Sequence, residues 1–356
     1  MELFDNQYQN KRVLVTGHTG FKGSWLCLWL QELGATVFGY SLAPETTPNH
    51  FDELNLSITS VIGNVCDREH IAKVVADFEP DIVFHLAAQS LVRRSYTTPV
   101  ETFATNVMGT VNVLDVCRLA PSVQAVVNVT TDKCYENKEW VWGYRESDRL
   151  GGHDPYSTSK ACSEWVSASY RQSFDQSHLL IATARAGNVV GGGDWAEDRL
   201  IPDLMKAAAE KSTLDIRNPE ATRPWQHVLE PLRGYLMLGQ RLLGGHAQFA
   251  SAWNFGPNEE GHLTVRDVVA EVNKSWSIKT NMPKKTVSGI NDSLHEAVNL
   301  KLDCSKARSA LGWRPVWSAE KTFAMTTQWY RVFYAEQQLE SLDQLRQYVN
   351  DMSQLG

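Results

Sequence analysis

A short apolar strand that runs straight into a glycine-spaced turn and then into a helix constrains this chain more than any other feature. Val13-Leu14-Val15-Thr16 leads into Gly17-His18-Thr19-Gly20-Phe21-Lys22-Gly23, and an apolar stretch at 24–33 follows that reads as a helix. Glycine lets the backbone turn sharply and lets its N–H groups approach an anion, while the positive end of the next helix faces the same anion. A glycine pattern alone is weak. Placed after the first strand of an alternating β/α chain, it is a strong pointer to a dinucleotide pyrophosphate.

The first half of the chain supplies that alternation. Runs at 12–16, 36–40, 58–63, 82–86, 125–130 and 180–185 read as strands, and stretches at 24–33, 69–78, 106–118 and 157–174 read as helices between them. The pattern predicts an α/β, Rossmann-like, doubly wound parallel sheet. It weakens after Ala186, where GGGDWAEDRLIPD and RNPEATRPWQHV read as loops and short elements. Helical patterns return at 228–243, 265–276 and 319–338. The predicted organisation is a dinucleotide-binding domain over 1–186, with a segment near 222–256 returning to it. A smaller mixed C-terminal substrate-binding domain is predicted from 187–221 and 257–340.

Composition excludes some classes of function. A net charge of -7 over 356 residues argues against a nucleic-acid or membrane-surface partner, since both are polyanions. The opening MELFDNQYQNKR has no apolar run suited to a secretion signal, and no apolar stretch is long enough to cross a bilayer. Six cysteines (Cys27, Cys66, Cys117, Cys134, Cys162, Cys304) lie far apart without a C-x-x-C pair. The expectation is reduced thiols in a cytoplasmic protein, with no disulfide frame and no metal.

The second predicted strand ends at Tyr40-Ser41, where an acidic residue ordinarily holds the adenosine ribose of NAD. A 2′-phosphate would need a cation, yet no Arg or Lys occurs from Ser24 to Asp67, which leaves Lys22 as the local positive charge. The cofactor expected is therefore NAD. His18 fills a position beside the turn where small residues are common, and is expected to crowd the site and loosen binding.

Tyr156-Ser157-Thr158-Ser159-Lys160 opens a helical stretch, so tyrosine and lysine share one face. A neighbouring ammonium favours the phenolate, which can take a proton from a sugar hydroxyl as hydride leaves the same carbon. Thr131, after the strand at 125–130, offers a hydroxyl to orient the substrate.

TGHTGFKG, FHLAAQS, NVTTDKCY, YSTSK, RAGNVVGGGDW and TRPWQHV occur in the order seen in nucleotide-sugar dehydratases and epimerases, a family of extended short-chain dehydrogenases/reductases. The resemblance covers nearly the whole chain. It implies that Gly17, His18, Gly20, Phe21, Lys22 and Gly23 hold the cofactor pyrophosphate and that Asn64 and Val65 border the adenine. By the same resemblance Leu86, Ala87, Ala88 and Ser90 line the nicotinamide, with Tyr156 and Lys160. Asn188 and Arg223 resemble residues that hold the sugar diphosphate.

Asp132-Lys133 divides the family. Epimerases need no acid/base pair there, whereas dehydratases remove water across C5 and C6. The dTDP-glucose 4,6-dehydratases place Asp-Glu at these positions, and Asp-Lys resembles the branch that takes CDP-glucose. The resemblance implies a lyase giving a 4-keto-6-deoxy sugar on the route to the deoxysugars of lipopolysaccharide. In this reading Asp132 is the acid and Lys133 the base, the two sharing one proton, with Glu136 the nearest rival base. The alternatives are a nucleotide-sugar 4-epimerase and a non-catalytic NAD(H)-binding protein. His85 and His227 are expected to be structural. A homodimer or tetramer is expected, paired through the helices at 106–118 and 157–174.

Overall fold

The computed structural model describes residues 3–174, 178–282 and 299–354. Residues 283–298 of the expected substrate portion, and 1–2 and 175–177 of the expected dinucleotide-binding portion, lie outside them.

All six predicted strands form: β1 (Arg12–Thr16), β2 (Thr36–Ser41), β3 (Thr59–Ile62), β4 (Ile82–His85), β5 (Ala125–Val129) and β6 (Leu180–Ala186). They pair in parallel in the order β3-β2-β1-β4-β5-β6, and a seventh strand, Ala252–Phe255, adds in parallel to β6. The fold is a Rossmann-like α/β sheet. Parallel strands are buried on both faces, and alternate side chains of this sheet divide between two cores. Val13, Val15 and Phe84 pack with Leu26, Trp29, Leu232 and Leu236 of the helices Phe21–Glu32 and Leu229–Leu243. Leu14, Val83 and Val126 pack with Ile71, Val74, Val113 and Leu114 of the helices Arg68–Phe78 and Gly109–Leu119. Strand order reverses between β1 and β4, and ligands of open α/β sheets bind beyond the strand ends at such a point.

Three departures from the sequence reading have local causes. The region after Ala186 contains the helix Leu200–Glu210, whose Pro202 reads as a breaker but sits in the first turn, where no intrahelical N–H is lost. Ala252–Phe255 is only four residues long and carries Asn254, so it lacks a β-branched run. The helix predicted from 106 begins as a π turn, Ala104–Met108, before continuing as Gly109–Leu119. That turn presents buried Asn106, whose amide accepts from the backbone N–H of Gln89 at 2.9 Å and donates to its carbonyl at 3.0 Å. The loop after β4 is thereby fixed.

Candidate active site

The turn after β1 is shaped by steric necessity. Gly17 has φ +76°, and a Cβ there would lie 2.7 Å from the Ala87 nitrogen and 2.8 Å from the Leu86 carbonyl carbon. A Cβ on Gly23 would come within 2.1 Å of the Gly17 oxygen. Gly20 caps the helix Phe21–Glu32 with its backbone alone, so no side chain competes for the first N–H groups. Lys22 is held down to about 8 by burial and then by Arg199 and Lys160, opposed by Asp132 and Asp194. A cradle open only to glycine, an uncapped helix start and a nearby cation fit a dinucleotide pyrophosphate.

His18 does not crowd that cradle. Its ring is fully buried behind the turn, 2.7 Å from the Ser60 hydroxyl, edge-on to Phe51, and against Gly39 of β2, where a Cβ would lie 2.3 Å from it. Burial lowers it to about 4, so the imidazole is neutral. The ring fills the space left by Gly39, which corrects the expected steric clash with the cofactor.

The other cofactor-side positions gather around the same strand ends. Asn64 accepts from the Cys66 N–H at 2.9 Å, and its carbonyl accepts from the Tyr40 hydroxyl at 3.0 Å. Val65 is buried, and its carbonyl accepts from Asn112 at 2.9 Å. The Ser41 and Thr19 hydroxyls lie 2.9 Å apart where an acid was missing from the sequence. Leu86, Ala87 and Ala88 are half-buried, and Ala87 N–H donates to Thr16 Oγ1 at 3.3 Å. Ser90 accepts from Arg199 at 3.3 Å. His85 and His227 are pushed to about 3 by burial and carry no charge. They sit in the core, His85 2.7 Å from the Thr16 hydroxyl and His227 between Trp25 and Trp317.

The reactive side is built where β5 ends. Thr131 caps the short turn Asp132–Cys134, with its hydroxyl accepting from Lys133 N–H at 3.3 Å and donating to Asp132 Oδ1 at 3.1 Å. Asp132 is 2% exposed, and its second oxygen has no hydrogen-bond partner among the described residues. Burial raises its carboxyl above the usual carboxylate range, against the pull of Lys133, the Thr131 hydroxyl, Lys22 and Arg223. Lys133 is half-buried beside it. Glu136 turns away into ion pairs with Lys138 at 2.8 Å and Arg149 at 3.1 Å.

Tyr156 and Lys160 lie on the buried face of the helix Pro155–Ser173, which Asp154 caps by accepting from Ser157 N–H at 2.9 Å. The Thr131 side chain stands beside the phenol and favours its ionised form. Lys160 reaches the strand instead of the phenol and donates to the Val129 carbonyl at 3.0 Å. Tyr156 accordingly stands at about 12, raised by burial and lowered by Thr131 and Arg199. The expected depression by its helix neighbour gives way to desolvation in this structure. Lys160 itself is lowered to about 8 by burial.

Arg223 is buried, donates to the Thr222 carbonyl at 2.9 Å and is close enough to act on Asp132. Asn188 fastens the same region through its carbonyl, which accepts from Gln226 N–H at 3.1 Å. Sequence reasoning missed Arg199. It is anchored on Asp194 at 2.8 Å and acts on both Tyr156 and Lys22. Its neighbours in sequence, Glu197-Asp198, read as a solvated charged loop and gave no signal of its place.

The family model of GDP-mannose 4,6-dehydratase matches residues 14–326. A CDP-glucose 4,6-dehydratase of Salmonella typhimurium is 49% identical over 92% of each chain. A dTDP-glucose 4,6-dehydratase of Streptomyces antibioticus is 29% identical over 90% of this chain and 92% of its own. Among solved structures, the dTDP-glucose 4,6-dehydratase DesIV of Streptomyces venezuelae, with NAD and TYD bound, superposes with a TM-score of 0.73 at 26% identity, covering 90% of this chain and 97% of its own.

Proposed function

The chain belongs to the GDP-mannose 4,6-dehydratase family, and on that premise we propose that it is an NAD-dependent lyase converting CDP-glucose to CDP-4-keto-6-deoxyglucose and water. One observation carries the reading. Asp132 is a buried carboxyl whose hold on a proton is strengthened by burial, and it lies beside Lys133 and next to the hydroxyls that handle the C4 position. A 4-epimerase has no step that needs such an acid.

Gly17, Gly20, Phe21, Lys22 and Gly23 hold the NAD pyrophosphate in this assignment, and Asn64, Val65, Leu86, Ala87, Ala88 and Ser90 flank its two ends. When bound, NAD would supply the hydride acceptor at C4 and the hydride donor at C6, and would be regenerated within each turnover. Tyr156 takes the C4 hydroxyl proton, with Thr131 and Arg199 favouring the phenolate, and Lys160, held on the Val129 carbonyl one helical turn away, carries positive charge on that side of the site. The ketone acidifies C5–H. Lys133 removes that proton while Asp132 protonates the C6 hydroxyl, which leaves as water. Lys133 then returns its proton to C5, and the proton gained by Tyr156 balances the one Asp132 gave up. Arg223 and Asn188 hold the sugar diphosphate. Residues 187–221 and 257–340 form the part that receives it. The enzyme works in the cytoplasm toward the deoxysugars of lipopolysaccharide, as a dimer. Exposed Val100, Phe103, Met108 and Trp165 on the helices near 99–119 and 155–173 support that pairing.

The test is the fate of C5–H. Wild-type protein in heavy water is expected to give a product carrying deuterium at C5. Lys133→Met is expected to accumulate reduced cofactor on adding CDP-glucose, with no loss of water and no exchange at C5. Dehydration at near wild-type rate in Lys133→Met, together with an inactive Glu136→Gln, would move the base to Glu136.

A further inference from the structure

Three successive positions of the helix Pro155–Ser173 on one face, Tyr156, Lys160 and Glu164, meet three successive residues where β5 ends. Lys160 Nζ donates to the Val129 carbonyl at 3.0 Å, Thr130 donates a short hydrogen bond to Glu164 Oε1, and Thr131 stands beside Tyr156 and favours its phenolate. Glu164 also accepts from Thr183 Oγ1 at 2.7 Å and from Arg185 Nη2 at 2.9 Å, both on β6. Its side chain is 1% exposed and that of Arg185 is 3% exposed. Arg185 donates further to the Tyr135 hydroxyl at 2.7 Å and the Glu146 carbonyl at 3.1 Å.

We propose that Glu164 is a positioning residue for the reaction: it registers the Thr131 hydroxyl against Tyr156 and supplies the counter-charge that keeps Lys160 an ammonium. The registry follows from connectivity. Thr130 lies between Val129, which Lys160 holds, and Thr131, which faces the Tyr156 phenol, so a slip of one moves all three contacts. The charge follows from burial. A buried ammonium is costly unless an opposite charge is near, and Glu164 is the first influence opposing the desolvation of Lys160. Glu164 is itself ionised. Burial works against it, but Arg185 and the hydrogen bonds from Arg185, Thr130 and Thr183 outweigh burial and hold its carboxyl below the usual range. Among the described residues, the other titratable groups facing Lys160 are Lys22 from the first helix, neutral His85 from β4 and Cys134 from the turn after β5, whose thiol burial pushes far up. None of these supplies a negative charge near neutrality.

The inference rests on the proposed function only for its turnover assay, so a second readout is taken without substrate. Glu164→Gln keeps the shape and removes the charge. It is expected to lower kcat about tenfold with the KM for CDP-glucose unchanged. Lys160 then loses its proton more readily, so the alkaline limb of the kcat profile is expected to move to lower pH by about one pH unit. The Lys160 ammonium resonance of 15N-lysine-labelled protein is expected to titrate lower by the same amount, whatever sugar is turned over. Glu164→Asp is expected to restore both midpoints toward wild type. Where Glu164→Gln alone leaves Arg185 unpaired and folds poorly, the neutral pair Glu164→Gln/Arg185→Met carries the test and is expected to show the same shift. A lowered kcat with an unmoved alkaline limb and an unmoved Lys160 titration would make Glu164 a structural residue and overturn the proposal.

Discussion

The two sides of the cleft are built by different physics. On the cofactor side the decisive positions are backbone: Gly17 fits because Ala87 leaves no room for a Cβ, and Gly23 because the Gly17 oxygen leaves none. On the reactive side the decisive positions are buried ionisable groups: Asp132, Lys160 and Glu164 are each under a tenth exposed, and desolvation governs the first two while Arg185 and hydrogen bonds outweigh it at Glu164. The first side fixes shape, so a change there should destroy binding. The second fixes protonation, so a change there should alter chemistry while the fold survives.

The largest break expected is on the cofactor side. Gly17→Ala adds a Cβ 2.7 Å from the Ala87 nitrogen at φ +76°. The strain and overlap together should destabilise by about 2–5 kcal/mol and abolish NAD binding. Calorimetry with NAD and denaturant unfolding check both parts. Retained NAD affinity would mean that the turn can shift away from β4, and the contrast between the two sides would lose its basis.

The smallest effect expected is at His18, which belongs to the cofactor motif by sequence but to the core by packing. His18→Ala should cost about 1–3 kcal/mol of stability, through the lost ring and its hydrogen bond. NAD affinity should stay nearly unchanged in the same calorimetric experiment. Tighter NAD binding would restore the idea that the ring crowds the cofactor.

Legibility followed the same division. The strand, the glycine spacing and the β/α alternation are local patterns, and β1 to β6 formed within two residues of their predicted ends. The Tyr156/Lys160 pair was legible as spacing, since one helix face is a local property. The target of Lys160 was not, because Val129 comes from another element and wins the ammonium by proximity. The direction of the His18 ring depended on Gly39 and Ser60, 21 and 42 residues away. Arg199 enters the site only because Asp194 and Ser90 hold it over the strand ends. Asp132-Lys133 was legible as a pair of residue types, while the raised carboxyl of Asp132 required knowing that it is buried.

The central claim is that this cleft removes water from a CDP-sugar. Purified protein with NAD is incubated in parallel with CDP-, dTDP-, UDP- and GDP-glucose, and each product is weighed by mass spectrometry. The account predicts that CDP-glucose loses the mass of one water and that the other three react poorly. A CDP-sugar of unchanged mass and galactose configuration would contradict it and make the chain an epimerase.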